Sequence, residues 1–175
     1  MYNLTIFCSS KNNLLPIYYK SVSDLIYLLD NNKFNIVYGG GTNGIMGVVR
    51  NIWLAKSGKV ITSNIYKFIE YGIQDDYLFN DIDDRQKKLV ELGDGYIVLP
   101  GGYGTHFEAL EVMTKNDIGE ASKPIFILNI NGVFNELISH INKLMTEGFI
   151  TRDFDKIKVF VSDDPVELAK IINNL

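Results

Sequence analysis

The sequence predicts an α/β fold: one doubly wound domain spanning residues 1–175, with a largely parallel sheet of about seven strands and helices on both faces. Three observations predict it. Short β-type runs alternate with amphipathic stretches along the whole chain, as in parallel sheets covered on both sides. A chain of 175 residues suits a single domain, long enough to bury roughly 70% of its unfolded surface. Glycine-rich loops directly follow apolar runs, at the strand C-termini where right-handed crossovers place a ligand cleft.

In chain order, strands are expected at Leu4–Cys8, Asn35–Tyr38, Lys59–Ser63, Asp76–Phe79, Gly95–Leu99, Pro124–Asn129 and Lys158–Val161. Helices are expected at Leu15–Asp30, Gly44–Lys56, Tyr66–Tyr71 (a weak pattern), Asp84–Gly93, Tyr103–Asp117, Val133–Glu147 and Pro165–Asn173. Local chemistry sets two boundaries. Asp164 followed by Pro165 reads as a capping residue with proline at the first helical position. Gly148 reads as a left-handed stop for the helix before it.

Composition excludes several function classes. A net charge of −4 argues against general nucleic-acid binding, which needs Lys and Arg clustered on one face. Cys8 is the only cysteine, so neither an intrachain disulfide nor a cysteine-based zinc site is expected, and a reducing compartment fits. No run approaches the ~20 apolar residues of a membrane span, and the N-terminus lacks a signal pattern. The expectation is a cytoplasmic protein with no membrane association.

The motifs gather at the predicted cleft edge. After the first strand, Cys8-Ser9-Ser10-Lys11 offers hydroxyls and amides, although serine-rich loops of this kind are more often plain capping. Cys8 lacks a histidine or cationic neighbour in sequence and reads as packing. The second loop, VYGGGTNGIMG, carries Gly39, Gly40, Gly41 and Thr42 before a helix containing Met46. Glycines there let backbone approach a ligand closely. No Lys-Ser or Lys-Thr pair follows, as a phosphate-binding P-loop requires, and the glycines do not follow the first strand, as a dinucleotide fingerprint requires.

After the fourth strand, Asp81, Asp83 and Asp84 fit a capped, solvated helix start better than a metal site, and no metal is expected. Arg85 lies at the cleft edge, where a guanidinium can pair with phosphate or hydrogen-bond a purine; position alone leaves a solvated role equally open. The fifth loop is LPGGYGTHFEALEVMT. Gly101, Gly102, Gly104 and Thr105 would present amides and a hydroxyl to an anion at a helix N-terminus. Glu108 lies three residues further, about 5 Å along the axis, an offset like that between a 5′-phosphate and the anomeric carbon of its ribose. Glu111 continues the same face. Thr105-x-x-Glu108 equally fits a capping box, and spacing alone leaves both readings open. His106 and His140 are weaker candidates.

These residues resemble the LOG family, the cytokinin riboside 5′-monophosphate phosphoribohydrolases formerly labelled lysine decarboxylases. The resemblance runs from the Cys-Ser-Ser loop through VYGGGTNGIMG and LPGGYGTHFEALEVMT to MTEGFI and DDPVEL, and Pro100, Gly101, Gly102, Gly104, Thr105 and Glu108 meet the PGGxGTxxE pattern in full. It implies a Rossmann-like homodimer without a cofactor that cleaves purine nucleoside 5′-monophosphates to free base and ribose 5-phosphate. It also implies a catalytic pair, Arg85 and Glu108, with Gly102, Gly104 and Thr105 on the phosphate and Gly39–Thr42 with Met46 shaping the rest of the pocket. The family's Arg-Lys appears here as Arg85-Gln86, its Gly-Val-Ile-Pro as Thr62-Ser63-Asn64-Ile65, and His106-Phe107 replaces Leu-Glu. A general AMP or purine nucleotide nucleosidase is the nearest alternative reading, and a noncatalytic nucleotide or molybdenum-cofactor carrier is a second. Nothing marks a lysine for pyridoxal phosphate chemistry.

Overall fold

The structure, a computed structural model, describes residues 1–70, 72 and 74–175. It contains a seven-stranded sheet in the order β4-β3-β2-β1-β5-β6-β7, every neighbouring pair parallel. The strands are β1 (Tyr2–Phe7), β2 (Phe34–Tyr38), β3 (Val60–Ile65), β4 (Tyr77–Phe79), β5 (Gly95–Val98), β6 (Ile125–Leu128) and β7 (Val159–Ser162). The helices are α1 (Pro16–Leu28), α2 (Gly44–Ala55), α3 (Ile82–Leu92), α4 (Tyr103–Asp117), α5 (Asn135–Thr146) and α6 (Pro165–Asn173). Strand order reverses direction between β1 and β5, so the loops leaving these two strands part there and open the crevice where such sheets bind ligands.

Two cores hold the layers, one on each face. Leu4, Ile6 and Phe34 point to a core with α1, α2 and α6, filled by Val22, Leu25, Trp53 and Leu168. Phe7, Val37 and Val98 point to the other, with Leu89 of α3, Val112 of α4 and Ile141 of α5. Alternating strand residues thus feed opposite faces, and the central strands read as continuous apolar runs because both faces are covered.

Helix boundaries follow side-chain chemistry. Asp164 accepts from the Val166 amide at 2.8 Å with Pro165 in the first turn, and Gly148 takes φ +83 after α5, both as expected. The helix expected from Asp84 starts earlier, at Ile82, because Asp81 accepts from the Asp84 amide and becomes the cap. The stretch expected as a helix from Val133 begins instead with a 3-10 turn, Ile130–Gly132. There Asn131 takes φ 55, and the Asn129 side chain accepts from the Phe134 amide. Of the weak helix at Tyr66–Tyr71, only a 3-10 turn over Tyr66–Phe68 forms, and Tyr71 lies outside the described residues. Among the described residues, no helix is long and apolar enough to cross a membrane.

Candidate active site

The loops after β1, β2, β3 and β5 meet at one edge of the sheet. Ser9 ties three of them together: its amide donates to Pro100 O at 3.1 Å and its carbonyl accepts from the Met46 amide at 3.2 Å. Its hydroxyl accepts from the Lys11 amide at 3.0 Å, the local capping role that such loops ordinarily play.

Arg85 and Glu108 meet at this edge. Arg85, on the first turn of α3, donates from Nη1 to Glu108 Oε1 at 2.8 Å and from Nε to Ser63 O at 3.1 Å. Both side chains are largely withdrawn from solvent, 13% and 7% exposed. Burial pushes the Glu108 carboxyl above the ordinary carboxylate value; the Arg85 charge and hydrogen bond oppose this, and nearby Glu111 adds to it. Burial also pushes the Cys8 thiol far up, so it is no ready nucleophile.

The helix start does not fit a capping box at Thr105-x-x-Glu108. Gly102 is the N-cap of α4 and offers no side chain, so Thr105 is already the third helical residue and Glu108 lies beyond the capping position. The carboxylate goes to Arg85 rather than back to a helix amide. Thr105 is buried, packed so tightly on Gly101 that a Cβ there would lie 2.0 Å from Thr105 Oγ1. Gly102 and Gly104 face open space. The amides of Tyr103, Gly104 and Thr105 precede the first position with an acceptor inside the helix.

Beside the pair lies a cleft of about 400 Å³ lined by Arg85, Gly39, Gly41 and Met46, with Ile65, Phe68 and Ile82 making an apolar wall. Gly40 takes φ +85 next to it. Thr42 is already engaged: Glu70, also in the lining, accepts from the Thr42 amide at 3.1 Å and from its hydroxyl. These bonds hold the Glu70 carboxyl below its ordinary value, so a ligand anion using Thr42 must displace a carboxylate. Glu111 is turned away from this cleft and accepts from Gln86 Nε2 at 2.8 Å.

Of the sequence-predicted residues, Arg85, Gly41 and Met46 line this cleft and Glu108 is held on Arg85, while Ser9, Gly101, Gly102, Gly104 and Thr105 lie outside its lining. Sequence reasoning missed Glu70, Asn64, Ile65, Phe68 and Ile82, which also line the cleft. The available signal was positional, since most of them lie at or just after the C-terminal end of β3, on the same edge as the glycine loops.

Comparisons with known proteins show which family the chain belongs to. Residues 36–172 match the family model described as "Possible lysine decarboxylase". A cytokinin riboside 5′-monophosphate phosphoribohydrolase of Rhodococcoides fascians is 32% identical over 155 residues, covering 85% of this chain and 78% of that protein. One from Arabidopsis thaliana is 32% identical over 154 residues, covering 85% and 70%. In fold, the chain superposes on the molybdenum cofactor binding protein of Rippkaea orientalis with a TM-score of 0.71 at 16% identity, covering 99% and 96%. The X-ray structure of TM1055 gives 0.73 at 19% identity, covering both chains fully. Similarity this distant speaks for the shared Rossmann-like architecture alone. The family match over residues 36–172 and the identity to these relatives over most of the chain make this chain a member of the LOG family of phosphoribohydrolases.

Proposed function

We propose that this chain hydrolyses the N-glycosidic bond of purine nucleoside 5′-monophosphates, releasing free base and ribose 5-phosphate. The observation that carries the reading is the buried Arg85–Glu108 pair one turn inside a helix whose glycine-lined N-terminus is open to an anion. A phosphate at Gly102, Gly104 and Thr105 sets the ribose beside Glu108, about 5 Å along α4. The bond from the anomeric carbon to the purine nitrogen breaks, its electron pair leaves with the base, and the purine nitrogen takes up a proton from solvent. The resulting oxocarbenium-like sugar is stabilised by the Glu108 carboxylate, which takes a proton from the water that adds to the anomeric carbon. Arg85 holds Glu108 in place and hydrogen-bonds the departing purine.

The finer reading is a cytokinin-type base. The apolar wall of Met46, Ile65, Phe68 and Ile82 offers room for an apolar substituent on the purine, which the names of the curated relatives make the natural expectation. Incubation with AMP and with isopentenyladenosine 5′-monophosphate, followed by quantification of base, tests both levels. Base is expected from at least one of them, and faster from the substituted nucleotide. Release from AMP alone would favour a general purine nucleotide nucleosidase, and none from any purine monophosphate at high enzyme concentration rules out the hydrolase.

The same reading includes a homodimer. Tyr103, Phe107 and Leu110 lie at helical spacing on α4, and all are solvent-exposed, Tyr103 at 99%. An apolar stripe of this kind at a site's rim suits burial against a second copy. Sedimentation at micromolar concentration should give a dimer, and a clean monomer contradicts it.

A further inference from the structure

Helices α3 and α4 are joined by two rungs, and the chemistry above uses only the first. Arg85 and Gln86 are consecutive on α3 and reach two carboxylates one turn apart on α4. Arg85 Nη1 bonds Glu108 Oε1 at 2.8 Å, and Gln86 Nε2 bonds Glu111 Oε2 at 2.8 Å. Gln86 is 4% exposed, so a buried amide is committed to fixing Glu111. Being neutral, it satisfies a carboxylate oxygen without cancelling the charge.

The charge on Glu111 is only loosely balanced elsewhere. Lys115 stands 3.9 Å from Glu111 and is closer to Glu120, at 3.2 Å. Lys87, Glu91, Tyr96, Glu120 and Lys123 share the surface depression beside it, acids and bases mixed. Around Glu108 itself, the charged or titratable groups are Arg85 from α3, Glu111 from its own helix and the Cys8 thiol at the end of β1.

We propose that Glu111, fixed by Gln86, is a positioning residue that keeps a negative charge one turn behind Glu108 and so makes Glu108 a stronger base towards the attacking water. Positions three apart on a helix are neighbours, about 5–6 Å between Cβ atoms, close enough for a buried carboxylate to feel a partly exposed one. The direction of the Glu108 shift agrees, since Glu111 reinforces burial against Arg85. The inference rests on Glu108 being the base in the hydrolysis proposed above.

The test is a ¹³C NMR titration of glutamate carboxyl carbons in the ligand-free protein, with Glu108 assigned by the signal lost in Glu108→Gln. Glu111→Gln should lower the Glu108 midpoint. Gln86→Lys, which sets an ammonium on Glu111, should lower it as well and supplies the comparison should Glu111→Gln fail to fold. A purely structural rung would leave the midpoint where it is, and an unmoved midpoint in a folded variant overturns the proposal. With substrate present, the acid limb of kcat/KM should move with the NMR midpoint. Because the titration needs no turnover, absence of base release would sink the hydrolase reading and still leave the effect of Glu111 on Glu108 measured.

Discussion

Glu108→Gln is expected to lower turnover by about 10³-fold or more while affinity for a purine nucleoside monophosphate stays near that of the wild type. The amide keeps the shape of the side chain and an oxygen for Arg85 Nη1, so the pair's geometry survives. On the proposed mechanism, what disappears is the negative charge beside the anomeric carbon and the site that takes the proton from water. Turnover at the wild-type rate would show that Glu108 is only a partner for Arg85.

The pH dependence follows from the same carboxyl. Its folded value lies above the ordinary 4.5, with burial as the largest cause. The proposed mechanism needs the ionised form, so activity should be lost as pH falls through that raised value rather than at 4.5. For stability the sign runs the other way. The folded state holds this proton more tightly than the unfolded chain, so the contribution of Glu108 is most favourable below 4.5 and is lost as pH rises through the folded value. Denaturant unfolding of wild type and Glu108→Gln at pH 4.5 and 8 checks this: the variant should lose less stability between the two.

Fold and site were legible to different degrees. The architecture was written in local signals that act within a few residues: Asp164-Pro165 at a helix start, Gly148 at a helix stop, apolar runs breaking into glycine loops. Boundaries slipped where a side chain reached past its neighbour, as when Asp81 captured the Asp84 amide and Asn129 the Phe134 amide. The motif residues of the site were visible, yet spacing could not separate a capping box from a carboxylate paired with Arg85. That distinction depends on Gly102 being the cap and on Arg85 reaching Glu108 from another helix. Glu70 on Thr42 was invisible for a related reason: it joins the loop after β3 to the loop after β2, and no periodicity encodes a contact between loops.

Arg85→Ala should remove activity about as thoroughly, by two routes that one experiment separates. Without the guanidinium, Glu108 remains buried without its cation, and an uncompensated buried charge costs roughly 3–5 kcal/mol. The carboxyl can escape most of that cost by keeping its proton, so the stability loss at neutral pH should be smaller, and the base is disabled in exchange. Arg85→Lys is no rescue, because an ammonium cannot reproduce the fork that serves Glu108 and Ser63 O together. Gly39→Ala reaches the same end without altering either charge. A Cβ at position 39 would lie 2.1 Å from Arg85 Nη2, the far end of a flexible side chain, so the backbone has no need to move and Arg85 must. That variant should fold within about 1 kcal/mol of the wild type and lose turnover by at least about tenfold, since a misplacement of 1 Å can cost 10²-fold. If Gly39→Ala turned over like the wild type, the position of Arg85 over Glu108 would be dispensable, and the chemistry would have to be carried by the carboxylate and the open N-terminus of α4 alone.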